Sequence, residues 1–185
     1  MQTETVQFIV VALYSYLIGG FTGAYYLVKL FLGKDIRQME SGNAGATNAG
    51  RVIGKKGFLL TIAIDAAKVW ITLGITSYWA EGSGPALVLS SILLVIGHLY
   101  PLQLGFRGGK GIVVYLAAAL FLNPYSILVM GAVMGVLYSI LRRYTLSGFL
   151  SILTIPVTLY ILEDSLLYFV SFIVLFAFLA AIHHK

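Results

Sequence analysis

The chain has 185 residues, 59% of them hydrophobic and 10% charged, with a formal net charge of +5 and no cysteine. A soluble domain carries roughly a quarter of its residues as charges, so this sequence, with a mean hydropathy of +0.94, must use lipid as its solvent. Without cysteine there is no disulfide framework and no thiolate metal site, and +5 is low for a nucleic-acid binder.

The length allows one domain over residues 1–185. A spanning helix needs about 20 apolar residues. Thr5–Val28 carries no charge and is the first such stretch. It lacks a basic leader and a small-residue cleavage site, so it is expected to be a mature span rather than a signal peptide.

The string Ser41-Gly42-Asn43-Ala44-Gly45-Ala46-Thr47-Asn48-Ala49-Gly50-Arg51 follows. Its glycines and alanines let the backbone approach a ligand closely. Ser41, Asn43, Thr47 and Asn48 offer hydroxyls and amides, and Arg51 offers a planar fork suited to phosphate oxygens. A flexible turn would show Gly/Ser monotony instead.

Gly57–Ala80 is the second span, interrupted only by Asp65 and Lys68. Three residues apart, these two share a helix face. They either pair with each other or send Lys68 into a site. Gly82–Phe106 is the third span and has no formal charge. His98 sits near its end, where a histidine is costly and marks a functional position by default. The alternative is a helix-end histidine paired with a carbonyl.

The second string opens at Gly97-His98-Leu99-Tyr100-Pro101 and runs on to Phe106-Arg107-Gly108-Gly109-Lys110-Gly111. Consecutive glycine amides at a helix start form an anion nest, and Lys110 adds a point charge. The spacing is not that of a Walker loop, which argues against nucleotide hydrolysis. A basic loop meeting lipid headgroups would ask for cations but would not explain the glycines.

Asn123-Pro124 interrupts the next apolar region, because proline removes a donor and disfavours helix before it. Gly111–Leu122 is too short for an upright span, so 111–141 is either a short span plus a full one or a re-entrant pair. Tyr144–Leu162 and Ser165–Ile182 complete the series. The expected fold is therefore all-α, a polytopic bundle of seven transmembrane helices, or five if 111–141 does not cross. Arg142-Arg143 is a topological anchor, with Thr145 and Ser147 as a possible second phosphate contact. His183-His184-Lys185 reads as a solvated end.

Basic residues lie in alternate loops: Lys29 to Lys56, then Arg107 and Lys110, then Arg142 and Arg143, then Lys185. Glu4, Glu81, Glu163 and Asp164 lie at the opposite ends. The positive-inside rule puts the N-terminus outside and the C-terminus in the cytoplasm, with both strings on the cytoplasmic side. No serine has an evident histidine–carboxylate set, and no histidine has metal-ligand spacing. A reaction driven by positioning and charge stabilisation suits this residue set. The competing class is a transporter or channel for phosphate-bearing solutes. Against it stand the one-sided placement of the strings and the lack of a broken-helix pair at midplane.

Ser41–Arg51 matches the pattern S-G-N-x-G-x-T-N-x-x-R, and Gly97–Gly111 matches G-H-x-x-P-x-x-x-x-F-x-G-G-K-G. Together they resemble the bacterial acyl-phosphate:glycerol-3-phosphate acyltransferases, which are integral membrane enzymes. The resemblance implies seven helices and an active site on the cytoplasmic side of the plasma membrane. It also implies transfer of a fatty acyl group from acyl phosphate to the 1-hydroxyl of sn-glycerol 3-phosphate, giving lysophosphatidate and phosphate. No cofactor, metal or obligate protein partner is implied; the partners are the two substrates and membrane lipid. By position, Ser41, Arg51, Lys110 and His184 would be catalytic. Asn43, Gly45, Thr47, Asn48, Lys68, His98, Gly108, Gly109, Gly111 and Ser147 would bind substrate.

Three departures accompany the resemblance. His184-Lys185 aligns with the start of the family's His-Arg-x-Asn-Ile run, and the sequence ends before the asparagine. Arg143-Tyr144-Thr145-Leu146-Ser147 exchanges the serine and leucine of R-Y-x-S-L. Gly19-Gly20-Phe21-Thr22 stands where Gly-Ser-Ile is usual.

Overall fold

The structure is a computed structural model that describes residues 2–183. Its described residues form helices α1 (Gln2–Gly19), α2 (Gly23–Leu32), α3 (Ala46–Trp79), α4 (Gly84–Leu99), α5 (Ile112–Leu122), α6 (Pro124–Leu141), α7 (Tyr144–Ile152), α8 (Thr154–Glu163) and α9 (Leu166–His183). Short 3-10 turns lie at Ile36–Gln38 and Leu102–Leu104. Among the described residues, six stretches are long and apolar enough to cross a membrane: Glu4–Leu32, Ala46–Trp79, Gly84–Leu104, Pro124–Leu141, Tyr144–Glu163 and Leu166–His183. Ile112–Leu122 is apolar but shorter. Large apolar side chains such as Leu13, Ile71, Leu128 and Val174 face outward on these helices, as a lipid solvent permits and water would not.

The chain divides into two compact units, Met1–Tyr115 and Leu116–Lys185. In the first, the uninterrupted span expected over Thr5–Val28 is broken. The helix stops at Gly19 and restarts at Gly23, because Asp65 and Lys68 of α3 supply partners for the backbone groups the break sets free. Helices α1 and α4 cross there in backbone contact. A Cβ at Gly97 would run into the Tyr16 carbonyl, and one at Gly19 would lie 2.6 Å from the Leu94 carbonyl. Small residues at such a crossing let helices pack without water to drive them together. Hydroxyls fix their register: Ser15 bonds Ser90 at 2.8 Å, Thr76 bonds Ser90 at 3.2 Å, and Tyr14 bonds Thr76.

Helix α3 begins eleven residues earlier than the expected span (Ala46 rather than Gly57). It takes in the second half of the first string and bends at Ile53-Gly54, where Gly54 has φ 74°. Glycine adopts this left-handed conformation without steric cost. Just below the string lies a small apolar core of Ala24, Val28, Ile36, Ala44 and Ala49, all fully buried, with Tyr25, Met39, Val52 and Ile53 packed on it.

In the second unit, the expected Tyr144–Leu162 span is two helices meeting at Leu153. Asn123 caps α6 by accepting from the Tyr125 amide at 3.0 Å, with Pro124 at the first helical position. That proline position costs no hydrogen bond. An open cavity of about 670 Å³ lies between Arg143, Tyr144, Leu146 and Phe149 of one stretch and Ala180 and His183 of α9.

Candidate active site: two glycine strings folded into one loop pair

The two strings meet through their backbones. The Ala44 amide donates to the Gly108 carbonyl at 3.3 Å. The second string then folds back on the end of α4: the Gly108 amide donates to Leu99 O and the Gly109 amide to His98 O, each at 3.0 Å. The Phe106 amide bonds Pro101 O at 2.9 Å, closing a turn in which Gly105 has φ 60° and Phe106 φ 61°. Gly111, at φ 79°, precedes α5, and its carbonyl accepts the Tyr115 amide. Gly45 caps α3 in the same way, accepting from Ala49 at 3.0 Å. Two helix N-termini, each a partial positive charge, thus follow directly from two loops joined by a hydrogen bond.

Glycine is required here for a local reason. A Cβ at Gly108 would run into the His98 carbonyl, and one at Gly109 into His98 Nε2, with Ala44 O 3.0 Å away. The glycines therefore seat the loop on His98, and the Gly108 and Gly109 amides are taken up by that seat.

Within the first string, the start of α3 sorts its side chains. Thr47 and Arg51, four residues apart, share an exposed face. Asn48 points the other way, only 1% exposed. Its amide donates to Asn43 O (2.9 Å), Met39 O (3.1 Å) and Ile36 O (3.3 Å), and its Oδ1 accepts from the Ser41 amide at 3.2 Å. Asn48 is thus the hub that shapes the loop presenting Ser41, Asn43 and Gly45. Lys110 is half-buried, and Ser41 is exposed.

Of the two sequence readings of Asp65 and Lys68, the structure displays the ion pair. Lys68 Nζ lies 3.1 Å from Asp65 Oδ1. It also donates to Gly19 O (2.9 Å) and Phe21 O (2.6 Å) and meets His98 Nδ1 at 2.8 Å. Asp65 Oδ1 in turn accepts the Gly23 amide at 3.1 Å. All three side chains are buried.

A further pair, Asp35 and Arg37, of which only the arginine figured in the charge pattern, braces the loops from outside the spans. Asp35 caps the 3-10 turn through the Arg37 amide at 2.9 Å. It also holds the Arg37 guanidinium, whose Nη2 lies 2.6 Å from Oδ2. Arg37 Nη1 reaches across to the Leu104 carbonyl, and its guanidinium sits 5.3 Å over the Tyr25 ring. The Arg37 side-chain bond holds the Asp35 carboxyl below the usual carboxylate range, and the same bond raises Arg37. The signal for this brace was in the sequence: an aspartate two residues before an arginine at a turn start, where Asx caps form.

Ser147 belongs to the second unit, on the first turns of α7. Its Oγ is buried without a hydrogen-bond partner. His184 lies outside the described residues.

A family model described as glycerol-3-phosphate acyltransferase matches residues 9–185. The chain belongs to this acyltransferase family. It is 43% identical over 143 residues to glycerol-3-phosphate acyltransferase 1 of Desulfitobacterium hafniense strain Y51, a match covering 77% of this chain and 70% of that one. To the glycerol-3-phosphate acyltransferase of Staphylococcus aureus strain bovine RF122 / ET3-1 it is 33% identical over 179 residues, covering 90% and 86%. Among solved structures it is similar to PlsY (YgiH), described as an integral membrane glycerol 3-phosphate acyltransferase. The glycerol 3-phosphate form of that protein matches with a TM-score of 0.83 and 27% identity, over 96% of this chain and 88% of that one. Its lysophosphatidic acid form matches with a TM-score of 0.81 and 26% identity, over 95% and 87%. The acyltransferase is thus an all-helical integral membrane protein with six to seven apolar helices.

Proposed function

We propose that this chain moves a fatty acyl group from acyl phosphate to the 1-hydroxyl of sn-glycerol 3-phosphate, giving lysophosphatidate and inorganic phosphate. The observation that carries the reading is the Ala44–Gly108 hydrogen bond. It makes one loop pair of two strings that are each suited to a phosphate. The two bound forms of the PlsY relative, with glycerol 3-phosphate and with lysophosphatidic acid, are the substrate and product of such a transfer.

In this reading, Gly108 and Gly109, whose own amides bond the end of α4, shape the turn that presents the Lys110 and Gly111 amides to the phosphate of glycerol 3-phosphate, and the Lys110 side chain neutralises it. Asn43, Gly45 and Thr47 line the polar side. Arg51 and Ser41 face the acyl phosphate, whose chain stays in lipid. Ser147 and His184 keep the substrate-binding and catalytic roles that the family resemblance implies for them, and residues 1–185 work as one acyltransferase domain. The loop pair lies on the cytoplasmic face of the plasma membrane, with the N-terminus outside.

The hydroxyl oxygen of glycerol 3-phosphate attacks the acyl carbon. A new carbon–oxygen ester bond forms as the bond from acyl carbon to phosphate oxygen breaks. The hydroxyl proton passes to a substrate phosphate oxygen, and inorganic phosphate leaves. No protein base is required, because the leaving group is already a good anion. The protein contributes orientation and fixed positive charge where negative charge develops.

The test is turnover by purified Arg51→Ala and Lys110→Ala in detergent. Loss of such a contact costs about 2.7–4 kcal/mol of barrier, or roughly 100- to 1000-fold in rate. Folded variants that keep near-normal glycerol-3-phosphate-dependent release of phosphate from acyl phosphate would contradict the assignment.

A further inference from the structure

A buried ion pair deep in a membrane protein is costly to keep, and of Asp65 and Lys68 the lysine meets the second string at His98, ahead of its glycine turn. The rest of what they touch is the frame behind the strings. Lys68 takes two of the carbonyls that the α1–α2 break sets free, Gly19 O and Phe21 O, and Gln103 Nε2 takes the one between them, Gly20 O. Asp65 takes the amide freed on the other side of the break, that of Gly23. In lipid such groups must find partners within the protein, and here one ion pair serves both sides of the break.

The remaining contact of Lys68 leads toward the site. A nitrogen that faces two carbonyls and a carboxylate is a donor, so His98 Nδ1, 2.8 Å away, is the acceptor. The imidazole is then neutral with its proton on Nε2. That edge of the ring is the one against Gly109, where a Cβ would collide with Nε2. The His98 carbonyl accepts the Gly109 amide at 3.0 Å and closes against Gly108. One chain of contacts therefore runs from the α1–α2 break through Lys68 and His98 to the backbone of the Gly108–Gly109 turn.

We infer that Lys68, with Asp65, is a positioning residue for the glycine loop: it locks the orientation of His98, and His98 sets the Gly108–Gly109 backbone in its phosphate-binding shape. Lys68 acts through His98 and not on substrate. The inference rests on the reading that this loop takes the phosphate of glycerol 3-phosphate.

The experiment uses the full chain in detergent and compares wild type, Lys68→Met and the double variant Asp65→Asn/Lys68→Met. Three quantities are read: unfolding midpoint, equilibrium Kd for glycerol 3-phosphate, and KM for acyl phosphate. Lys68→Met leaves Asp65 as an unpaired buried charge, and its folded yield falls. The double variant removes both charges while the asparagine still accepts from Gly23, so its unfolding midpoint returns toward wild type. Its Kd for glycerol 3-phosphate nevertheless stays raised about tenfold, because a displaced loop misplaces its ligand even when the change is remote from it. Its KM for acyl phosphate stays within about twofold of wild type.

A purely structural role predicts that affinity recovers together with the unfolding midpoint. A double variant with wild-type Kd, or one in which both substrates weaken equally, overturns the inference and leaves the functional reading intact. A wild-type chain that binds no glycerol 3-phosphate overturns the functional reading, and the inference with it. A wild type that binds glycerol 3-phosphate but does not use acyl phosphate overturns only the donor, and the Kd comparison still decides the role of Lys68.

Discussion

In the first compact unit, Thr72, Thr76 and Ser91 bond carbonyls four residues earlier, but other hydroxyl bonds reach from helix to helix; in the second, most turn back onto nearby chain. Ser15, Ser90, Thr76 and Tyr14 link α1, α4 and α3. By contrast, Ser151, Thr154 and Thr158 bond carbonyls three or four residues earlier, and Ser126 bonds those of Asn123 and Ala119. The side-chain bond from Asn123 to Glu163, which crosses the second unit, is exposed at a helix end. Apolar contacts between membrane helices are non-directional and allow sliding, whereas a hydroxyl pair or an ion pair specifies register. The unit whose helices are pinned in this way is the one that carries the two glycine strings. A site of backbone amides needs such pinning, because a loop cannot reposition its amides one at a time.

The largest effect is expected where the pinning is ionic. Lys68→Met leaves Asp65 buried and unpaired, at a cost of about 3–5 kcal/mol, read as a lower unfolding midpoint in detergent. A midpoint near that of wild type would show that the ion pair does not hold the first unit together.

A smaller loss, about 1 kcal/mol, follows for Ser90→Ala, since hydroxyl bonds between membrane helices average about 0.6 and reach about 1.7 kcal/mol. Thr158→Val in the second unit removes only a bond back to α8 itself and stays within about 0.5 kcal/mol of wild type. Equal losses at Ser90 and Thr158, measured by the same denaturant titration, would erase the contrast between the units.

The smallest effect is the pH dependence of the outer brace. Arg37 holds the Asp35 carboxyl below the usual carboxylate range of about pH 4. The stabilisation from this pair is therefore fully present above that range. It is lost only as pH falls through the depressed value, when the carboxylate is protonated. Wild type and Asp35→Asn should thus differ by a small constant amount from neutral pH down to about 5 and converge in stronger acid. A difference that instead grew with acidification would show that Asp35 does not carry the effect.

Much of this was legible in the sequence because lipid imposes a simple code. Length and hydropathy mark the spans, proline at 124 marks a helix start, and the two strings stand out as polar text in an apolar chain. What was hidden depends on contacts between distant residues. The break at Gly19–Gly23 carries no proline, and it is stabilised by Asp65 and Lys68 more than forty residues away. Asn48 looked like a ligand contact because its amide chemistry suits one. Its inward direction follows from α3 starting at Ala46, which places Thr47 and Arg51 on the open face instead. The early start was itself obscured by the basic residues Lys55 and Lys56, which appear to end a loop but ride on a helix bent at Gly54. The brace of Asp35 and Arg37 was readable as a cap, but its reach to Leu104 was not.

The central claim is that the paired strings join an acyl phosphate to glycerol 3-phosphate. The most direct measurement gives the purified chain in detergent both compounds and follows phosphate release and lysophosphatidate together. The account predicts one lysophosphatidate per phosphate released and neither product when glycerol 3-phosphate is left out. Phosphate released without lysophosphatidate, or acylation from another donor with none from acyl phosphate, would contradict it.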